Sequence, residues 1–226
     1  MGISGGNRAH GRVLAASIIG STIEWFDYFL YGTLAALVFS KAFFPSTNPA
    51  ASLMLAYLSF ALSFFIRPLG GVLFSHLGDR VGRKQTLVIT LALMGGATMA
   101  IGLLPTYEQI GIAAPALLVL LRLIQGIGIS GEWGGALLLA YEHAPPNRKG
   151  LFGSLPQVGV TLGMLLSTAS VTLVSLLPEA DFQAWGWRIP FVMSVTLVLV
   201  GLWIRRGVGE SPEFLAMKAA KLQARS

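Results

Sequence analysis

Residues 21–32 read STIEWFDYFLYG. Glu24 and Asp27 stand three apart in an apolar, aromatic stretch, a spacing that puts both carboxylates on one face of a helix. What such acids are for depends on the solvent of the helix, and composition sets that solvent. The chain has 226 residues, 54% hydrophobic and 12% charged, with a mean hydropathy of +0.70. A soluble domain carries about 25% charged residues, so the chain reads as a membrane protein. It has no cysteine, which excludes disulfides, thiol catalysis and cysteine metal sites.

Working outward from this stretch, six apolar segments are legible at residues 13–39, 50–74, 85–104, 114–140, 151–177 and 189–204. A spanning helix needs roughly 17–25 residues, and in lipid the backbone must be paired internally. The expectation is an all-α integral membrane protein with six transmembrane helices over residues 13–206, a polar tail at 1–12 and a further polar segment at 207–226. Breaks such as FPSTNPA, LPTYEQIGIAAP and HAPPNRKG separate the spans. The first apolar run is too long for a signal peptide and holds two acids.

The basic residues orient the spans. With the amino terminus inside, Arg8, Arg12, Arg80, Arg83, Lys84, Arg148, Lys149, Arg205, Arg206, Lys218, Lys221 and Arg225 are all cytoplasmic. Lys41 and Arg188 fall outside, and Arg67 and Arg122 within spans. This asymmetry places both termini in the cytoplasm. The net charge of +6 is then topological rather than a nucleic-acid footprint. Trp185 and Trp187 read as interfacial anchors.

Ionisable groups inside spans are costly, roughly 2.5–3.5 kcal/mol each on insertion scales, and usually face a cavity or a partner. Tyr28 and Tyr31 continue the stripe of Glu24 and Asp27. In the fourth span Arg122, Gln125 and Glu132 fall within about 80° of one another. Gly128, Gly131 and Gly135 cluster on another face, and Gly131/Gly135 and Gly159/Gly163 make small-xxx-small pairs suited to close helix approach.

Five motifs in register carry a family resemblance. GDRVGRK at 78–84 resembles the loop between helices two and three of the major facilitator superfamily. IEWFDYFLYG, FIRPLGG (65–71), RLIQGIGISGEWGGALLLAYEHAP (122–145) and ESPEF (210–214) resemble its metabolite:proton symporter family. Ser75 stands where the loop signature usually has glycine, and Ser130 replaces the first glycine of a usual Gly-Gly-Glu. Both are small, so close packing is weakened rather than lost.

The resemblance implies proton-coupled symport of a small organic acid or zwitterion across a bacterial inner membrane, with no cofactor. It covers only the amino-terminal six helices of a fold that normally has twelve, with residues 207–226 as the start of the central linker. Its transport site lies between two halves that rock against each other. The expected partners are therefore the lipid bilayer, the solute, a proton, and either a second copy or a separate second-half chain. A non-transporting membrane subunit or a fragment of a full carrier is the alternative.

A carboxylate withdrawn from water holds its proton more readily, so Glu24, Asp27 and Glu132 are the candidates for proton exchange. Arg122 suits a substrate carboxylate through a bidentate guanidinium contact, and Gln125, Tyr28, Tyr31 and Gln157 are candidate hydrogen-bond partners. The bland alternative is that the acids pair with Arg67 or Arg122 to fix helix packing. The resemblance makes Gly78, Asp79, Arg80, Gly82, Arg83 and Lys84 a cytoplasmic conformational latch; otherwise they are a positive-inside stop signal. His10, His76 and His143 lack metal-ligand spacing, the methionines read as packing, and the absence of a serine elbow or phosphate loop speaks against an enzyme.

Overall fold

The computed structural model describes residues 3–142, 144–207, 209–210, 215–216 and 219–220. His143, Lys218, Lys221, Arg225 and most of ESPEF lie outside the described residues. Six long helices dominate. They are α1, spanning Val13–Ala42, α2 at Pro49–Val81, α3 at Arg83–Leu103, α4 at Ala113–Glu142, α5 at Lys149–Val174 and α6 at Arg188–Arg206. The expected all-α, six-span architecture is therefore present.

Local chemistry sets the boundaries. Asn48 caps α2, its side-chain oxygen accepting from the Ala50 N–H at 3.0 Å, with Pro49 as the first helical residue. Pro68 and Pro156 bring short breaks at Ile66 and Leu155, since proline removes one rung of the ladder. The sequence ends the second span at 74, but α2 continues to Val81. Its last turns carry Ser75, His76 and Asp79 and project beyond the apolar stretch. Gly82 stops it at φ +106°, a conformation that favours glycine. The LPTYEQIGIAAP connection holds a helical turn, Tyr107–Ile110, closed by a reciprocal Thr106–Gln109 capping box.

α1 packs most extensively on α5, and also on α4 and α6. α3 joins α4 and α6, while α2 rests mainly on α4. The glycine pair of α5 makes the α1 contact: a Cβ on Gly163 would lie 2.7 Å from the Phe26 nitrogen and the Thr22 carbonyl, and one on Gly159 2.6 Å from Ser21. Gly131 of α4 is closed over by Phe74 of α2 and Thr90 of α3.

Val13 and Ala16 of α1, Leu87 of α3 and Ile204 of α6 form one cluster, so the start of α1, the start of α3 and the end of α6 share one end of the bundle. At the other end Phe39, Phe43, Trp187 and Phe191 form an aromatic plug, with Phe39 and Trp187 centroids 5.5 Å apart. Trp187 is fully buried there, not an interfacial anchor. The turn before α6 points its indole inward against the end of α1, while Trp185 stays exposed. Met54, Phe65, Leu69, Val72 and Leu73 leave α2 broadly apolar on its outer side.

Candidate functional site

Among the described residues, four buried charged side chains, Asp27, Arg122, Glu132 and Arg205, fall into two separate networks. The first joins four helices. Asp27 of α1 and Arg122 of α4 approach to 3.4 Å. Arg122 also donates to the side-chain oxygen of Gln125 at 2.7 Å and to Ser63 of α2 at 3.1 Å. The other Asp27 oxygen accepts from Gln125 and from Thr98 of α3, both at 2.9 Å. The Arg122 guanidinium lies 3.9 Å from the Tyr31 ring centroid, and the Tyr31 hydroxyl meets Ser59 at 2.7 Å. Asp27, Tyr31, Arg122 and Gln125 are all buried. Their carboxylate and guanidinium are thus compensated by several neutral dipoles as well as by each other, the condition under which a buried pair is tolerated.

The long 3.4 Å Asp27–Arg122 contact has a chemical meaning. Arg122 spends its better hydrogen bonds on Gln125 and Ser63, and its Nε has no partner. The guanidinium is held by its surroundings and only loosely by Asp27.

The second network lies further along α4. Glu132 receives both terminal nitrogens of Arg205 from α6 and the hydroxyl of Thr90 from α3, the last at 3.0 Å. Arg205 also donates to the Leu87 carbonyl. Gly20 of α1 faces this pair, and a Cβ there would strike the Glu132 carboxylate and the guanidinium. By rotation about the helix axis Glu132 groups with Arg122 and Gln125. The structure separates them because ten residues of helix amount to about 15 Å of rise. Arg205, read as a topological charge, is only 2% exposed. A signal for it exists, since Phe191, Ser194, Val198, Gly201 and Arg205 form one buried helical stripe.

The remaining candidates scatter. Glu24 is buried but belongs to neither network. Tyr28 is half-buried against Phe60 and Phe64 of α2. Gln157 is exposed on α5. In the 78–84 loop Asp79 and Arg80 are exposed, and Arg83 reaches Asp79 at only 3.9 Å. Gly78 and Gly82 are buried. The Lys84 N–H at the start of α3 donates to the Glu210 carboxylate at 3.1 Å, and its Nζ donates to the Arg206 carbonyl at 3.0 Å. Glu210 therefore fastens the polar segment after α6 to the helix that follows the loop. Among the described residues no cluster of metal-ligating side chains occurs.

Six spans with two buried charge networks and a glycine-shaped α1–α5 seam define one six-helix half of the major facilitator type. The family described as Sugar (and other) transporter matches residues 13–226, and the chain belongs to it. It is 50% identical over 204 residues to the shikimate transporter of Escherichia coli K12, covering 90% of this chain and 47% of that protein. It is 48% identical over 215 residues to the inner membrane metabolite transport protein YhjE of the same organism, covering 95% and 49%. The proline/betaine transporter of E. coli K12 is 39% identical over 204 residues, covering 90% and 41%. The chain thus spans about half the length of the curated relatives it matches. Among solved structures, the partially occluded inward-open xylose transporter XylE from E. coli superposes with a TM-score of 0.81 at 20% identity, over 96% of this chain and 54% of that one. That likeness concerns the fold.

Proposed function

We propose that this chain is the amino-terminal half of a proton-coupled carrier for a small organic acid or zwitterion, in a bacterial inner membrane with both termini cytoplasmic. The observation that carries the reading is the Asp27–Arg122–Gln125–Thr98 network, buried where α1, α3 and α4 meet. In this reading Asp27 takes the proton. Neutral Asp27 no longer attracts Arg122, and the guanidinium turns to the carboxylate of the solute, keeping Gln125 and Ser63 as its scaffold. Return of the negative charge to Asp27 competes the solute away. Proton and solute occupancy are thereby linked through one cation.

In this reading a further six-helix half completes the transport site, whether from another copy of the chain, a separate chain carrying helices seven to twelve, or the remainder of a full-length carrier of which these residues are a fragment. Gln157, exposed on α5, is available to line the interface. Gly78, Asp79, Arg80, Gly82, Arg83 and Lys84 serve as the cytoplasmic latch, with Glu210 tying the loop to the linker. The test is uptake of labelled shikimate, proline and betaine into liposomes containing the chain, with and without an inward proton gradient. Gradient-driven accumulation supports the reading. Its absence with the chain alone, and also after co-reconstitution with a chain carrying helices seven to twelve, overturns it.

A further inference from the structure

The two arginines that end α6 take opposite directions. Arg205 continues the buried stripe of Ser194, Val198 and Gly201 and is spent on Glu132. Arg206 continues the outward side, where Val192, Leu199 and Trp203 are exposed at helical spacing. Thr196, on the same side, turns its hydroxyl back to the Met193 carbonyl, so the strip is apolar to lipid as far as Trp203. Trp203 is 73% exposed and stands one residue before the apolar run ends at Ile204. A cavity of about 470 Å³ lies against this last turn, lined among the described residues by Trp203, Ile204, Arg206 and Gly207. Among the described residues Arg206 enters no ion pair.

The order apolar strip, tryptophan, arginine matches the cross-section of one bilayer leaflet. Acyl chains cover the strip, an indole sits at headgroup level, and an arginine beyond it reaches the phosphates. A guanidinium grips a phosphate with two parallel hydrogen bonds. The carbonyl end of a helix ordinarily repels an anion. Here the Lys84 Nζ donates to the Arg206 carbonyl at 3.0 Å, which offsets that repulsion and sets a second cation beside the turn. Two cations favour a headgroup whose only charge is its phosphate over one that also carries an ammonium.

We infer that the last turn of α6 is a binding site for an anionic phospholipid. Arg206 holds the phosphate, Trp203 flanks the glycerol backbone, and an acyl chain lies along Leu199 and Val192. The site depends neither on the transport reading nor on which side of the membrane α6 ends.

The experiment is a lipid titration of the purified chain in detergent, read by native mass spectrometry. Dioleoylphosphatidylglycerol is compared with dioleoylphosphatidylethanolamine. The first is expected to bind roughly tenfold or more tightly than the second, and Arg206→Gln should remove that preference. Trp203→Leu keeps an apolar side chain and should weaken both lipids severalfold while preserving the preference. Both positions are exposed, so the variants should fold as wild type does. Arg148→Gln removes one exposed charge from the same end of the bundle, before α5, and should leave binding unchanged. Equal affinity for the two lipids, wild-type preference in Arg206→Gln, or a comparable loss in Arg148→Gln overturns the assignment. Displacement of the lipid by inorganic phosphate would make this a free-anion site and overturns it as well.

Discussion

Glu132 of α4 and Arg205 of α6 form a two-pronged ion pair inside the bundle, with Thr90 and the Leu87 carbonyl completing its hydrogen bonds. Removing one partner leaves the other charge buried and unpaired, which costs roughly 3–5 kcal/mol, whereas replacing both is often close to neutral. Arg205→Met and Glu132→Gln should each lower thermal stability in detergent markedly, and the double variant should recover most of the loss. Additive losses in a double-mutant cycle would show that the two side chains act independently.

The coupling network makes a kinetic prediction. Asp27→Asn keeps the shape of the side chain but cannot exchange a proton. It should abolish gradient-driven accumulation while leaving solute exchange measurable. Arg122→Lys loses the planar fork, so affinity should fall by roughly tenfold or more, the value of one charge-assisted hydrogen bond. Retained accumulation in a folded Asp27→Asn protein would make these residues structural and shift attention to Glu132 and Glu24.

The α1–α5 seam tolerates no side chain at Gly163, where a Cβ would lie 2.7 Å from α1 backbone atoms. Gly163→Ala should destabilise the bundle by about 1–3 kcal/mol, as overpacking does. Gly96→Ala is the contrast. It meets nothing within 4 Å and should gain up to about 1 kcal/mol of helix propensity. Thermal unfolding of the two variants against wild type separates these outcomes.

Topology is open to a clean chemical test because the chain has no cysteine. Arg80 is exposed at the end of α2. Arg80→Cys should resist an impermeant thiol reagent in sealed cells and react after permeabilisation. Labelling from outside would reverse the orientation drawn from the basic residues.

The six spans were readable because lipid forces long apolar runs into helices, and no competing pattern of that length occurs in the chain. The pairing of Asp27 with Arg122 is one of the alternatives the sequence leaves open, since both lie in spans and need partners. Which acid paired with which cation was not legible, because helix adjacency decides it. Glu132 looked like a neighbour of Arg122 by rotation about the axis, and the rise along the axis separates them. Arg205 and Trp187 read as interfacial in the sequence for a related reason. Both lie at helix ends, where charge and aromaticity suggest an interface, and only the direction each side chain takes relative to its neighbours shows that it turns inward. The role of Glu210 in capping α3 depends on a contact 126 residues away in sequence, which no local pattern announces.

The position of Arg205 also bears on how the protein is made. During synthesis Glu132 enters the membrane with its fourth helix, and the guanidinium that neutralises it follows 73 residues later. Until α6 arrives, Glu132 keeps Thr90 as its hydrogen-bond partner and lacks the cation that neutralises it. The Lys84 N–H likewise waits for Glu210. The last helix is therefore the fastener of the unit, and nascent chains that end before it should be retained by the insertion machinery or cleared by proteases rather than released as five-helix bundles.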